Sequence, residues 1–179
     1  MSRSGHALIR RTLTVLAAAV LVIAGMSIPA TALASEPTDM VLVWNANAIS
    51  VVSSPATATA VGLGQAPPLS ALSVAMVHGA IYDAVNAIDK GHQPYLQGLS
   101  APSTASKAAA VAQAAHDVLV HLVAITPQPV IDRVDGLLTQ SLALIDPGQA
   151  KDDGRTIGAA AAAAMIAARS TDGRFDVEP

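Results

Sequence analysis

Apolar residues recur at spacings of three and four positions along five stretches of this chain, a spacing typical of helices with one buried face. The pattern predicts no strands and five helices, over residues 39–52, 68–90, 103–125, 128–145 and 146–169. The predicted fold class is therefore all-α, an irregular bundle of about five helices with short connections. Trp44, the only tryptophan, is expected to anchor the first helix to this bundle.

The second predicted helix is apolar on two faces. Val77, Ile81 and Val85 share one face, whereas Ala84 and Ala87 belong to a small-residue face that lies nearly opposite. A helix that is apolar on two faces is buried on two sides. We therefore expect this helix to be the central one of the bundle.

Residues with strong capping preferences set the predicted helix ends. Ser103 or Ser106 can cap the third helix, because a serine oxygen accepts a hydrogen bond from the first turn. Asp146 and Pro147 are expected to open the fifth helix, as its N-cap and its first helical residue. Gly91 is expected to end the second helix, since glycine is the usual residue just past a helix C-terminus.

The first 34 residues have the pattern of a secretory signal peptide. Three arginines give a positively charged start, residues 13–28 form an apolar middle, and a small-x-small tripeptide ends at Ala34. We predict cleavage between Ala34 and Ser35, which exports residues 35–179 to the cell envelope or the medium. The alternative is an uncleaved membrane anchor, because the apolar run is nearly long enough to span a bilayer. A pair of arginines before that run leaves both Sec and twin-arginine export open.

Composition narrows the class of protein. The chain has 179 residues, of which 52% are hydrophobic, 2% aromatic and 13% charged, and it contains no cysteine. The core is therefore built from small aliphatic side chains, and packing rather than disulfides must stabilise an exported domain. Signal cleavage removes three of the ten basic residues and none of the 13 acidic ones, so the mature net charge is −6. No nucleic-acid partner is predicted, because a basic stripe is lacking, and membrane contact is expected only during export.

The apolar second helix carries His78, Tyr82, Asp83, Asn86 and Asp89, five polar side chains that follow one another within twelve residues. His78, Tyr82 and Asn86 recur at every fourth position and therefore share one stripe. Buried polar groups need partners, because an unpaired one costs about 1–3 kcal/mol. The stripe is either a polar wall that faces a ligand pocket or a buried hydrogen-bond network that joins helices. We favour the network, since most buried polar groups are satisfied structurally.

The remaining charged residues do not form a complete catalytic or metal site in the sequence. Asp117 and His121 are one helical turn apart, which can hold part of a metal site. However, His116 points away from His121 and no third ligand is evident, so an exposed acid–histidine pair is preferred and no metal is predicted. No GxSxG elbow, glycine-rich phosphate loop or HExxH motif occurs. Two charged clusters are interpreted as solvated helix faces, Asp132, Arg133 and Asp135, and Lys151, Asp152, Asp153 and Arg155.

Four segments together resemble a known family: WNANAISVV, PPLSALSVAMVHGAIYDAVNAID followed by GHQPY, SKAAAVAQAAHDVLVHL, and AAAAMIAARSTDGRF. Over residues 41–175 the chain is similar to the N-terminal helical half of bacterial vanadium-dependent haloperoxidase-related proteins. These proteins belong with the type 2 phosphatidic acid phosphatases. VHGAIYDAVNAID is the most specific of the matching elements. The resemblance implies an α-helical enzyme that binds vanadate or phosphate and has haloperoxidase or phosphatase activity.

The oxyanion site of that family does not carry over to any position of this chain. In the family, the motifs Lys-x6-Arg-Pro, Pro-Ser-Gly-His and Ser-Arg-x5-His-x3-Asp supply cations for the oxyanion and histidines for the chemistry. Lys90, Lys107 and Lys151 are not followed by Arg-Pro at that spacing, and Pro102-Ser103 continues as Thr-Ala. The resemblance therefore implies no catalytic, cofactor-binding or metal-binding residue here. Vanadate or phosphate is expected only in a full-length member.

Two functional hypotheses are consistent with these observations. In the first, the chain is the exported helical scaffold of a haloperoxidase-like or phosphatase-like phosphoesterase, inactive alone, and its partner is a missing C-terminal catalytic half. In the second, it is a self-sufficient secreted helical module that oligomerises through its apolar faces or binds a protein partner. The low charged fraction favours an interface in both cases, because large exposed apolar faces mark interaction surfaces.

Overall fold

The computed structural model describes residues 39–55, 57, 61–122 and 126–173. Within these ranges the chain forms five helices and no strand: α1 Met40–Ser53, α2 Pro67–Asp89, α3 Lys107–His121, α4 Gln128–Ala143 and α5 Gln149–Ala168. The prediction of an all-α bundle of about five helices is confirmed. The described residues belong to one compact unit, Ser35–Pro179. The predicted signal peptide and its cleavage position after Ala34 lie outside the described residues.

Helix α3 occupies the centre of the bundle. It packs against each of the four other described helices, whereas α2 packs against α1, α3 and α5. The prediction that α2 is the central helix is therefore wrong. Side-chain size explains the difference, because α3 is buried without interruption from Ala109 to Ala115 and its alanines allow neighbouring helices to approach from every side. By contrast, α2 leaves Leu72 and Tyr82 exposed.

The most extensive contact between helices joins α3 to α5. A Cβ atom placed on Gly158 of α5 would lie 2.5 Å from the carbonyl oxygen of Ala110 and 2.9 Å from Cβ of Gln113. Gly154, one turn earlier, faces the carbonyl oxygen of Ser106 in the same way. The glycines and alanines of α5 thus form a surface for close packing. The alanine run in the sequence favours this interpretation over a membrane span.

A single apolar core lies between the helices. Trp44 is fully buried, and its Nε1 donates a hydrogen bond to Ser141 Oγ at 3.1 Å. Because Ser141 belongs to α4, this bond ties α1 to α4 and confirms the expected anchor. Val77, Leu119 and Val134 are also completely buried. Alanine, valine, leucine and isoleucine together make up most of the core, as the low aromatic content predicts.

Helix α5 does not begin where the sequence predicts. Its first residue is Gln149, so Asp146 and Pro147 precede the helix instead of opening it. Gly148 takes the N-cap position with φ of 137°, a backbone conformation that favours glycine. The turn at Gly148 separates Pro147 from the helix, which accounts for the difference.

The caps of the other helices follow sequence rules in part. Asp39 caps α1 by accepting hydrogen bonds from two N–H groups of the first turn. Ser106, and not Ser103, caps α3. At the end of α2 it is Lys90 that adopts the left-handed conformation, with φ of 54°, where Gly91 was expected to end the helix. The N–H of Lys90 still donates to the carbonyl oxygen of Asn86 in the last turn.

Among the described helices, α2 is the one whose length and apolar composition are sufficient to cross a bilayer. Within its most apolar window, 56% of the residues are buried inside the bundle. Core helices of water-soluble bundles have the same length and composition.

Candidate functional site

Each of the five polar side chains that the sequence places on α2 has a partner. His78 Nε2 lies 2.9 Å from Asn45 Oδ1, and this hydrogen bond links α2 to α1. Asp89 forms an ion pair with Lys107, with 2.7 Å between the carboxylate oxygen and Nζ, and this pair links the end of α2 to the start of α3. Both side chains of the ion pair are about half exposed.

Asp83 holds the segment that follows α2, residues 90–106, which we call the α2–α3 loop. Its carboxylate is buried, with 1% of the residue exposed. It accepts hydrogen bonds from the backbone N–H groups of Tyr95 at 2.8 Å and Leu96 at 2.9 Å. Two N–H donors compensate a buried carboxylate for the loss of water. Asp83 therefore positions the loop against α2.

Asn86 and Tyr82 hold the same loop closer to its beginning. The side-chain amide of Asn86 donates to the carbonyl oxygen of His92 and accepts from its N–H. The Tyr82 hydroxyl donates to the carbonyl oxygen of Gln93 at 2.7 Å. Tyr82 is nevertheless 41% exposed, Asp89 is exposed and His78 is half-buried, so of the five side chains Asp83 and Asn86 are the buried ones. The network thus joins α2 mainly to its own loop, with single links to α1 and α3.

A groove of about 360 Å³ runs between α1 and α2, and we call it the α1–α2 groove. It is lined by the apolar residues Val41, Ile81 and Val85 and by the polar residues His78, Tyr82, Asn86, Asp89 and His92. Four of the five predicted residues therefore share it, whereas Asp83 faces the loop. Such a groove can hold a ligand that has an apolar body and a hydrogen-bonding edge.

A second groove, of about 440 Å³, lies between α2 and α5, and we call it the α2–α5 groove. Its apolar lining includes Leu72, Met76 and Met165. Arg169 also lines it, and its guanidinium donates to the Tyr95 hydroxyl and lies 5.7 Å from the centroid of that ring. The sequence did not predict this groove, because its residues come from two helices and a loop and share no motif.

His116 on α3 lies between two carboxylates. Its Nδ1 is 2.7 Å from Asp117 Oδ1, and its Nε2 is 2.7 Å from Asp135 Oδ1 of α4. Burial lowers the pKa of His116, but hydrogen bonds and charge from Asp117 and Asp135 raise it more, so the pKa lies above its ordinary value. Gln113 also donates to Asp117 at 2.9 Å. The predicted pairing of Asp117 with His121 is therefore wrong, because α4 packs beside His116 and Asp117 is engaged there.

The charged clusters on α4 and α5 are only partly solvated, which corrects the prediction. Arg133 donates to Ser50 Oγ of α1 at 2.7 Å. Lys151 donates to the carbonyl oxygen of Leu142 at 2.6 Å, in the last turn of α4, where helix carbonyls lack partners. Arg155 donates to the side-chain oxygen of a glutamine on α3 at 3.0 Å. These charged side chains therefore form hydrogen bonds between helices instead of facing only solvent.

No group of three or more His, Cys, Asp or Glu side chains in the described part of the chain has an arrangement that could hold a metal ion. Comparisons with known proteins do not assign the chain to a family: no protein-family model, curated protein or solved structure matches it. The proposed function therefore rests on the contacts of the described residues and on the sequence resemblance.

Proposed function

We propose that this chain is the exported helical scaffold of a protein of the vanadium-dependent haloperoxidase and type 2 phosphatidic acid phosphatase group. A C-terminal helical half, outside this sequence, would supply the vanadate or phosphate site. The element VHGAIYDAVNAID on α2 supports the assignment by its resemblance to that group. Its polar residues support a scaffolding role, because Asp83 and Asn86 are fully engaged in holding the α2–α3 loop.

Exposed apolar surface along α2 is the observation that supports the docking of a second half on this scaffold. Leu72 is 55% exposed and lines the α2–α5 groove, and Tyr82 is 41% exposed and lines the α1–α2 groove. Exposed apolar side chains beside a groove between helices are typical of a surface that receives another helix. A second helical half that packs against α2 would bury both side chains.

The DNA that follows the codon for Pro179 provides a direct test. The proposal expects a reading frame, continuous or shifted, that encodes Pro-Ser-Gly-His and Ser-Arg-x5-His-x3-Asp. The encoded half, coexpressed with this chain, should form a complex that binds vanadate. A downstream sequence without these motifs would contradict the scaffold proposal and favour the second candidate function.

The protein without that half should neither bind vanadate stoichiometrically nor hydrolyse phosphate esters nor oxidise bromide. The reason is that the lysine and arginines that neutralise an oxyanion in the family are lacking at the required spacing. Vanadium NMR titration checks binding, and phosphatase and bromide-oxidation assays check turnover. Tight one-to-one uptake of vanadate by this chain would refute the proposal.

A pair of leucine variants tests whether α2 receives the second half. Leu72→Asp should weaken the complex by about tenfold or more, because a carboxylate placed in an apolar contact loses water without gaining a partner. Leu144→Asp is the matched control, since Leu144 is 68% exposed and lies beyond the end of α4. Isothermal titration calorimetry measures both affinities, and equal losses would argue against docking on α2.

The second candidate function is a self-sufficient exported module that associates with itself or with a protein partner. Its support is the closed core, in which Trp44, Val77 and Leu119 are completely buried by the described helices alone. The exposed apolar residues of α1 and α2, including Leu42 at 66%, would then lie between associating chains.

A further inference from the structure

The imidazole of His116 contacts a carboxylate with each of its ring nitrogens, both at 2.7 Å. A ring nitrogen that faces a carboxylate oxygen at this distance needs a proton, because two lone pairs would repel each other. A neutral imidazole has one N–H, and only the protonated ring has two. The geometry therefore suits an imidazolium that donates a charge-assisted hydrogen bond on each side.

The charged groups around His116 come from three helices. Asp117 lies on α3 itself, and Asp135 approaches from α4. Arg155 of α5 reaches this cluster indirectly, since it donates to Gln113, which in turn donates to Asp117. Helix α1 contains no charged residue. The carboxylates of α2 are engaged elsewhere, with the α2–α3 loop and with Lys107.

Helix α4 is the peripheral helix to which this cluster connects. Among the described helices its backbone packs against α1 and α3, and α5 reaches its end through the hydrogen bond from Lys151 to the Leu142 carbonyl oxygen. Its polar links to α1 use the Trp44 indole and the Arg133 guanidinium, neither of which changes charge near neutral pH. The link from His116 to Asp135 is thus a contact between α3 and α4 that can be switched by one proton.

We propose that His116 is a pH-controlled latch, which holds α4 on α3 while the imidazole is protonated and releases Asp135 when it is neutral. Asp117 is adjacent in the chain and retains the remaining ring N–H. The unprotonated Nε2 then faces Asp135 of α4, and the two repel. Helix α4 stays attached through α1 and its apolar contacts, but its α3 side is loosened.

The direction of the pKa shift sets the pH range of the latch. Burial lowers the pKa of His116, but hydrogen bonds and charge from Asp117 and Asp135 outweigh it and place the pKa above 6.5. A group whose pKa is raised on folding stabilises the fold fully below its unfolded pKa, and this stabilisation is lost as pH rises through the folded pKa. The latch is therefore closed in solutions more acidic than the unfolded pKa, and it opens as pH rises through the raised pKa of His116.

Hydrogen–deuterium exchange of the full chain at about pH 5.5 and about pH 8.5, corrected for intrinsic exchange rates, tests the latch across the range in which histidine titrates. Protection of Gln128–Ala143 should fall severalfold at the higher pH, because the contact between Asp135 and His116 is lost. His116→Gln and Asp135→Asn should remove this difference. His121→Gln, which changes an exposed histidine on the same helix, should preserve it.

Equal protection of α4 at both pH values in the natural protein would overturn the latch, and so would a pH difference that survives in His116→Gln. NMR titration of the His116 ring keeps the test independent of variants that fold poorly. It should show an imidazolium that persists above the ordinary histidine range. In Asp135→Asn the His116 pKa should fall, and an unchanged pKa would contradict the proposal.

Discussion

At the residue scale, Asp83 shows how a carboxylate is accommodated inside an apolar helix. The α2–α3 loop has no helix or strand whose hydrogen bonds would pair its backbone, so its N–H groups need partners from elsewhere. Asp83 supplies two acceptor oxygens to N–H groups 12 and 13 residues further along the chain. The sequence indicates that Asp83 needs partners, but helical spacing shows only which face a residue occupies. Helical spacing could not predict that these partners are backbone groups of the loop that follows.

Asp83→Ala should lower the free energy of unfolding by about 2 kcal/mol, because it leaves two part-buried N–H groups without their acceptor, at about 1–3 kcal/mol for each fully buried group. Asp89→Ala is the matched control on the same helix. Its ion pair with Lys107 is half exposed, so the loss should stay below about 1 kcal/mol. Urea unfolding followed by circular dichroism measures both, and equal losses would show that Asp83 is not what holds the loop.

At the scale of helices, the contact between α3 and α5 depends on residues without large side chains. Gly154 and Gly158 bring the α5 backbone against carbonyl oxygens of α3, at Ser106 and Ala110. The alanine run of α5 predicted a closely packed helix, and that prediction is confirmed. The pattern could not identify α3 as the partner, because a surface of small side chains can pack against many different helices.

Gly158→Ala should destabilise the protein by about 2 kcal/mol, since an added methyl group in a filled contact forces the helices apart. Gly136→Ala on α4 is the control, because a Cβ there would meet nothing within 4 Å. This second substitution should stabilise the helix by up to about 1 kcal/mol, because alanine loses less backbone entropy than glycine. Thermal unfolding distinguishes them, and melting temperatures that shift in the same direction would contradict the close approach.

At the scale of the whole molecule, a closed core coexists with exposed apolar residues along α1 and α2. The core buries Trp44 and its neighbours completely, yet Leu42 and Leu72 are more than half exposed. This combination is expected of a domain that folds by itself and then receives a partner. Both candidate functions use this surface, and they differ in what covers it.

The purified protein should unfold in a single cooperative transition, because one core connects all five described helices. Light scattering after size exclusion then separates the two candidate functions. A monomer supports the scaffold that lacks its second half, whereas a discrete oligomer supports the self-sufficient module. A broad transition without cooperativity would contradict a core closed by this chain alone.

The sequence by itself determined the helical class, the number of helices, the burial of Trp44 and the need of the α2 polar residues for partners. These properties follow from spacing, composition and the cost of unpaired polar groups, all of which act locally along the chain. Only the tertiary structure decided that α3 is central, that Asp135 faces His116 and that two grooves flank α2. The reason is that each of these features joins residues that are far apart in the sequence. Whether such residues come into contact depends on how whole helices pack.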